Sequence, residues 1–353
     1  MKNMKGHTKK VVVFGYFGFV TDQRDGQTIK TRSIYELLKT KKKLKVEYVD
    51  SQEIRYKKYL VFSLLRKLIE CDFLVIIPAY NNLKKVFPVC YCLSKIFGFK
   101  IIHIGVGGWL DKYLEKLPSA YTKMLKNISV NLLQTQITVD NLIDNLGFDN
   151  VGVIPNFRNT VINSFDIRSM GNCLELVFMA RVNIKKGLDT MEQLAFKLRE
   201  TGFDKKINIT FYGPFGSETD KFFMEEHLVQ PFPNVNYKGS LSPKDIHFTL
   251  RNYDVMIFPT HYFTEGFPGT VLDAFQAGLP VIATAWQHSK QFIKDGVDGY
   301  LVDFEKPMPA LYERIIELYN APDNLLRMKK AAYEESLNYT PRAAWNILSK
   351  YFN

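Results

Sequence analysis

The chain has 353 residues, of which 46% are hydrophobic, 24% charged and 14% aromatic; this supplies two buried cores and excludes a peptide, a coiled coil or a disordered tail. The formal charge of +11 is one-sided: residues 1–160 hold 26 basic and 13 acidic side chains, residues 161–353 hold 21 and 23. The asymmetry points the first half at an anionic partner, a lipid surface or a nucleic acid, and no nucleic-acid recognition motif is present.

The amino terminus, MKNMKGHTKK before VVVFGYFGFV, has the charge-then-apolar order of a signal peptide, but it lacks a small-residue cleavage site and runs on into TDQRDG. It reads as a first buried strand. Further apolar runs follow, LKVEYVD, DFLVIIPAY, KIIHIGV, VNLLQT and NVGVIPN, separated by helix-period stretches such as TIKTRSIYELLK and YLVFSLLRKLIE. The polar stretch NFRNTVINSFDIRSMGN, 156–172, reads as a linker. The alternation then restarts with CLELVFMA, INITFYG, VNYKG, VMIFPT, PVIAT and GYLVDF, and a helical tail follows Pro322. The pattern predicts two α/β domains, 1–160 and 161–335, each with a sheet covered by helices on both faces and with ligands outside the carboxyl ends of the strands. No uncharged run reaches the roughly 18 residues of a membrane helix. Cys71, Cys90, Cys92 and Cys173 show no paired spacing, which fits a reducing cytoplasm.

The most informative stretch is YDVMIFPTHYFTEGFPGTVLDAFQAGLPVIATAW, 253–286. A buried strand ends at Pro259, a loop carries Glu265, Gly266, Phe267, Pro268 and Gly269, and a helix begins near Thr270. Small residues before a helix leave its first N–H groups open to a diphosphate or to sugar oxygens. Carboxylates at Glu265 and Asp273 can accept hydrogen bonds from sugar or ribose hydroxyls; taken alone, they could equally be a solvated acid and a dipole partner.

The string EGFPGTVLDAFQAGLPVIAT resembles the signature of the retaining glycosyltransferases of the GT4 family (group 1), with a Glu, seven residues and a second acid that is Asp273 here in place of Glu. LVFMARVNIKKGLDT, 176–190, resembles that family's strand-G-R-L-x-x-x-K-G string, with Ala180 in place of the Gly. The resemblance implies a GT-B fold: two facing Rossmann-like domains, an interdomain cleft, and a carboxy-terminal helix within 336–353 crossing back to the first. It further implies that Glu265 holds the donor sugar, that Asp273 holds the ribose, and that Arg181 and Lys186 neutralise the leaving diphosphate. INITFYGPFGS and PNVNYKGSLSPKDI resemble the strands beside the nucleobase, which makes the backbone near Tyr212, Gly213, Lys238 and Gly239 a candidate base contact, although Gly213-Pro214 also reads as a turn.

In the first half, the loop before Gly26-Gln27-Thr28 ends at a helix start that suits phosphate or a plain cap. In IIHIGVGGWLDK, 101–112, Gly107 and Gly108 bring the backbone to the expected cleft, and His103 is either an acceptor-side group or a core residue between isoleucines. No G-x-G-x-x-G, P-loop or H-E-x-x-H string occurs, and without D-x-D no metal or other cofactor is expected. RYKKYLVFSLLRK, 55–67, and LKKVFPVCYCLSKIFGFK, 83–100, mix cations with apolar residues in helical order, which fits an anionic membrane surface or simply basic covering helices.

The resulting expectation is a cytoplasmic enzyme, peripheral on the inner face of the cell membrane. It moves a sugar from a UDP- or GDP-linked donor to a hydroxyl of a lipid-linked or oligosaccharide acceptor in bacterial surface-polysaccharide synthesis. The rival readings are a nucleotide-sugar epimerase of the same fold and a non-catalytic glycan or nucleic-acid binder.

Overall fold

The computed structural model describes residues 8–159 and 167–352, apart from Asp22 and Arg24; residues 160–166 of the expected linker lie outside the described residues. The chain divides into two compact units, Met1–Val161 with Thr340–Asn353, and Ile162–Tyr339.

The first unit runs β1 (Lys9–Gly15), α1 (Gly26–Lys39), β2 (Leu44–Asp50), α2 (Ser51–Tyr56), α3 (Leu60–Glu70), β3 (Phe73–Ile77), α4 (Tyr80–Phe97), β4 (Lys100–Ile104), α5 (Leu110–Leu114), α6 (Ser119–Lys126), β5 (Val130–Leu133), α7 (Gln136–Leu146) and β6 (Val151–Val153). The strands pair in parallel in the order β2-β1-β3-β4-β5-β6. A strand such as FLVII, every residue of it buried, has no polar face to offer water and is stable only with helices on both sides. On one side Val12, Phe14, Leu74 and Ile76 pack against Leu64 and Leu68 of α3 and Leu83 and Phe87 of α4. The basic run 55–67 is not one helix: Lys57 leaves helical geometry (φ −128°, ψ 81°) and α3 begins only at Leu60.

The second unit runs β7 (Leu174–Met179), α8 (Leu188–Glu200), β8 (Ile207–Tyr212), α9 (Glu218–Phe223), β9 (Val235–Tyr237), α10 (Ile246–Leu250), β10 (Val255–Phe258), α11 (Gly269–Gln276), β11 (Val281–Thr284), β12 (Gly299–Val302), α12 (Met308–Asn320) and α13 (Pro322–Ser336). Its parallel order is β12-β11-β10-β7-β8-β9. Leu176, Phe178, Ile209 and Phe211 pack against α8 and α12 on one face, and Val177, Met256, Val281 and Ala283 against α11 on the other.

The last helix, α14 (Pro341–Leu348), belongs to the first unit. Ala344, Leu348 and Phe352 join Val11, Val13, Phe73 and Ile34 in the core on that sheet's second face, and the Lys9 ammonium donates to the Phe352 carbonyl. The returning segment starts at Thr340 rather than at 336. Tyr339 still packs in the second unit, its ring 4.7 Å from that of Phe267 and its hydroxyl donating to Glu335 at 3.0 Å.

Candidate active site

In the second sheet, β7 and β10 are neighbours although they are the first and fourth strands of the unit. The connections from them leave toward opposite edges, so a crevice opens at their carboxyl ends, where open α/β sheets bind ligands. Arg181 and Lys186 lie on the loop leaving β7, and Glu265 on the loop leaving β10.

The two loops are knitted together by backbone. Gly187 has φ +88°, and a Cβ there would sit 2.0 Å from the Pro259 carbonyl oxygen, so only glycine permits the approach. His261 N–H donates to the Lys185 carbonyl at 3.0 Å. The Asn183 side chain accepts from the Lys186 N–H at 2.9 Å and caps the single 3-10 turn, Ile184–Lys186, that carries the lysine. Held this way, Lys186 Nζ meets Glu265 Oε2 at 2.5 Å, with side-chain exposures of 17% and 22%. The ammonium also lies 4.9 Å from the Tyr262 ring centroid and 5.4 Å from that of Phe258, where the ring faces favour a cation. Beside it, His261 Nε2 lies 3.1 Å from Asp189 Oδ1 and 3.4 Å from the Thr190 hydroxyl.

Arg181 is exposed, and its side chain makes no hydrogen bond or ion pair to a described residue. Gly266, Phe267 and Pro268 are buried. Phe267 stacks on Phe292 at 4.0 Å and 5°, so the central residue of this motif anchors the loop; burying such a ring contributes about 2–3 kcal/mol. Gly269 begins α11, whose start has no side-chain cap. Asp273, expected to hold ribose, is 4% exposed, with Oδ1 3.6 Å from His247 Nε2 of α10. It lies one turn into the helix and faces an imidazole.

The expected base contacts have other occupations. A Cβ on Gly213 would meet the Ala180 carbonyl at 1.8 Å; its N–H donates to the Gly239 carbonyl at 2.9 Å, and its own carbonyl accepts the Tyr237 hydroxyl at 2.9 Å. Lys238 N–H donates to the Phe211 carbonyl, while its side chain is exposed. Burial and the Tyr253 hydroxyl 3.0 Å away push the Tyr212 phenol up to about 12.

In the first unit, the structure takes the plain-cap alternative at the start of α1 and the core alternative at His103, which corrects His103 as an acceptor-side group. Asp25 caps α1 with its own carboxylate, accepting from Thr28 N–H at 2.9 Å, so a negative charge already stands where a phosphate was expected. A Cβ on Gly26 would meet nothing within 4 Å, so no close approach within the fold requires glycine there. His103 is fully buried in β4 and cannot reach a ligand. The Asn131 amide donates to the Leu125 carbonyl, which turns Asn131 Oδ1 toward His103 Nδ1 at 3.0 Å as an acceptor; burial pushes the imidazole down to about 4, and it is neutral. Gly107 N–H is taken by Gln134 Oε1 at 3.0 Å, and the Gln134 amide donates to Asn156, so this loop is tied to its neighbours at the sheet's edge; Gly108 beside it is buried.

Sequence reasoning passed over Asn183, Gly187, Asp189, Tyr262, His261 and His247. Gly187 and Asn183 stood inside a quoted motif and were readable as loop geometry. Nothing in the sequence pairs His247 with Asp273, 26 residues apart.

Residues 163–335, just under half of the chain, match the family model of the group 1 glycosyl transferases. The match falls within the second unit, which is therefore the part of the chain that is similar to this family. The chain is similar to the putative colanic acid biosynthesis glycosyltransferase WcaL of Salmonella typhimurium, 25% identical over 155 residues (43% of this chain, 37% of that one). It is also similar to the D-inositol 3-phosphate glycosyltransferase of Paenarthrobacter aurescens, 26% identical over 156 residues (43% and 37%). The match spans little more than a third of the length of these curated relatives. Among solved structures, Anabaena Alr3699/HepE in complex with UDP-glucose superposes with a TM-score of 0.69 at 13% identity (98% of this chain, 99% of that one). A glycosyltransferase from Rickettsia africae superposes at 0.72 and 15% (98% of each). The fold of the chain is GT-B.

Proposed function

We propose that the protein is a retaining glycosyltransferase of the GT4 type, moving a sugar from a nucleotide-sugar donor to a hydroxyl of a lipid-linked or oligosaccharide acceptor in bacterial surface-polysaccharide synthesis. The observation that carries this reading is the Lys186–Glu265 pair, held by Gly187 against Pro259 at the switch point of the unit that matches the group 1 family. As the donor's C1–O bond breaks, its electron pair goes to the diphosphate, where Arg181 and Lys186 meet the charge without the reorganisation that water would need. The acceptor oxygen bonds C1 on the face the diphosphate leaves, and its proton departs on a phosphate oxygen. Glu265 accepts from a donor-sugar hydroxyl, and Lys186 passes from the carboxylate to the phosphate. With these cations in place the reaction needs no resident metal.

A UDP-linked donor is supported by the HepE structures, solved with UDP-glucose and with UDP. A polysaccharide acceptor is supported by the names of the colanic acid biosynthesis glycosyltransferases. Such a donor and acceptor meet at the cytoplasmic face of the membrane. The test is turnover of labelled UDP-sugars by Arg181→Ala, Lys186→Ala and Glu265→Ala. Each loses about 100-fold or more while still folding and unfolding cooperatively, with the melting point lowered only in Lys186→Ala and Glu265→Ala, which break the ion pair; turnover surviving all three changes refutes the site.

A further inference from the structure

Among the described residues, twenty large apolar side chains stand exposed, and eight of them fall between Tyr56 and Phe97. At the start of α3 and along it, Tyr59, Phe62 and Ile69 stand at helical spacing with the Arg66 side chain between them, Phe62 being 75% exposed. On α4 a matching stripe runs Lys85, Val89, Cys92 and Ile96, with Ile96 71% exposed. Both helices turn their buried sides, Leu64 and Leu68, and Leu83 and Phe87, into the same core on one face of the sheet. Their outer stripes therefore point the same way, as one face on which exposed apolar side chains alternate with cations.

Charge identifies what covers it. From Arg55 to Lys100 the sequence holds nine Lys or Arg and two acids, Glu70 and Asp72. Glu70 is engaged by Lys10 at 3.4 Å and by Arg66 at 3.5 Å, and Asp72 accepts the Lys10 backbone N–H at 2.7 Å, so neither opposes an incoming anion freely. Lys57, Lys58, Lys84, Lys85 and Lys95 flank the apolar stripes in solvent. Apolar residues that enter a headgroup layer, ringed by cations that stay at its surface, match an anionic bilayer. A second copy of the chain would set these cations against themselves. No helix among the described residues is long and apolar enough to cross a membrane, so such contact lies in the interface plane.

We propose that the outer face of α3 and α4 docks on an anionic lipid bilayer, with Phe62 and Ile96 entering the headgroup layer. This deepens the reading of a lipid-linked acceptor and rests on it for its purpose, but the test does not. The full chain, without sugar donor, is sedimented with vesicles of phosphatidylcholine containing about a third phosphatidylglycerol, and with phosphatidylcholine alone. Binding is expected to the anionic vesicles, to fall at least ten-fold between about 0.1 and 0.5 M salt, and to fall at least ten-fold in the double variant Phe62→Ser/Ile96→Ser. Both positions are exposed, so the variant should melt as the parent does; Lys84→Glu/Lys85→Glu provides a second, apolar-preserving loss. Absence of binding at low salt, equal binding to neutral vesicles, or binding indifferent to Phe62→Ser/Ile96→Ser each overturns the proposal. So does a parent that sediments as a dimer and becomes monomeric in the variant, because the face would then belong to a second copy. UDP-sugar turnover measured separately tests the transferase reading, so the two can fail independently.

Discussion

Glu265→Gln should move binding and turnover in opposite directions. In the free protein the carboxylate neutralises Lys186 at 2.5 Å with both side chains about four-fifths buried. Such a pair lies between exposed bridges, worth 0–1 kcal/mol, and fully buried ones, whose breakage costs about 3–5 kcal/mol. Taking the net hold at about 1–2 kcal/mol, the amide frees that much for an incoming diphosphate, and UDP binds roughly 5–30-fold more tightly. The same change replaces a charged acceptor for a donor-sugar hydroxyl. A hydrogen bond to a charged group is worth about 1.5–3 kcal/mol and one to the neutral amide oxygen about 0.5–1.5 kcal/mol, so kcat for the UDP-sugar falls by the difference of about 1–1.5 kcal/mol, roughly 5–13-fold. Titration calorimetry with UDP and turnover of labelled donor read the two effects separately. UDP affinity that is unchanged or weaker in Glu265→Gln refutes the competition between carboxylate and phosphate for Lys186; unchanged turnover refutes the sugar contact.

Gly187→Ala drives a Cβ into the Pro259 carbonyl at φ +88°, so it should separate the two loops and lower turnover at least as far as Lys186→Ala, as measured with the same labelled donor. Asp273→Glu adds a methylene in a buried position 3.6 Å from His247 and should cost about 1–3 kcal/mol in denaturant unfolding, with the UDP affinity reporting whether the longer acid still gains a ribose contact. His103 takes its proton near pH 4 when folded and near 6.5 when unfolded, so its contribution is complete above pH 6.5 and lost as pH falls toward 4; parent and His103→Gln should converge by about 3 kcal/mol over that window in urea titrations. Burial raises the Asp298 carboxyl to about 6, above its unfolded 3.8, so its contribution is present below pH 3.8 and lost by pH 6; Asp298→Asn should therefore gain about 1–2 kcal/mol at pH 8 and nothing at pH 4.

The two sheets were legible because their central strands, such as FLVII and VMIF, are continuous apolar runs with no polar face, a pattern that fits a parallel sheet covered on both sides. The loops that carry Lys186 and Glu265 stood out as motifs through the family resemblance, but the pairing of the two side chains across neighbouring strands was not legible. What was not legible depended on side chains meeting across the fold. Gly26 stood before a helix, as a phosphate loop would, but Asp25 one residue earlier fills the helix start. Gly213 carried the look of an open turn, while tight packing on Ala180 accounts for it. His103 lay between isoleucines, and only the Asn131 amide, itself fixed by the Leu125 carbonyl, shows which imidazole nitrogen carries the proton.

Burial sorts the cations of this chain into different tasks. Lys30, 2% exposed, donates to the carbonyls of Ile154 at 2.9 Å and Pro155 at 2.6 Å, just past β6, and desolvation pulls it down to about 7. Lys329, 2% exposed, donates to Asp254 at 2.7 Å and to the Arg168 carbonyl at 3.0 Å, tying α13 to the start of β10. A charge so deeply buried costs several kcal/mol unless fixed partners surround it, and those partners leave it nothing to give a ligand. Lys186 sits between the extremes: dry enough for its charge to act strongly, open enough to exchange Glu265 for a phosphate. Arg66, its side chain 85% exposed, and the lysines around it on α3 and α4 lie at the other end, where a single charge is weak and only an extended anionic surface engages them together. In the proposed bilayer contact the excess charge of the first half serves a surface, and in the proposed transfer the near-neutral second half supplies the cations that it keeps at one strand junction.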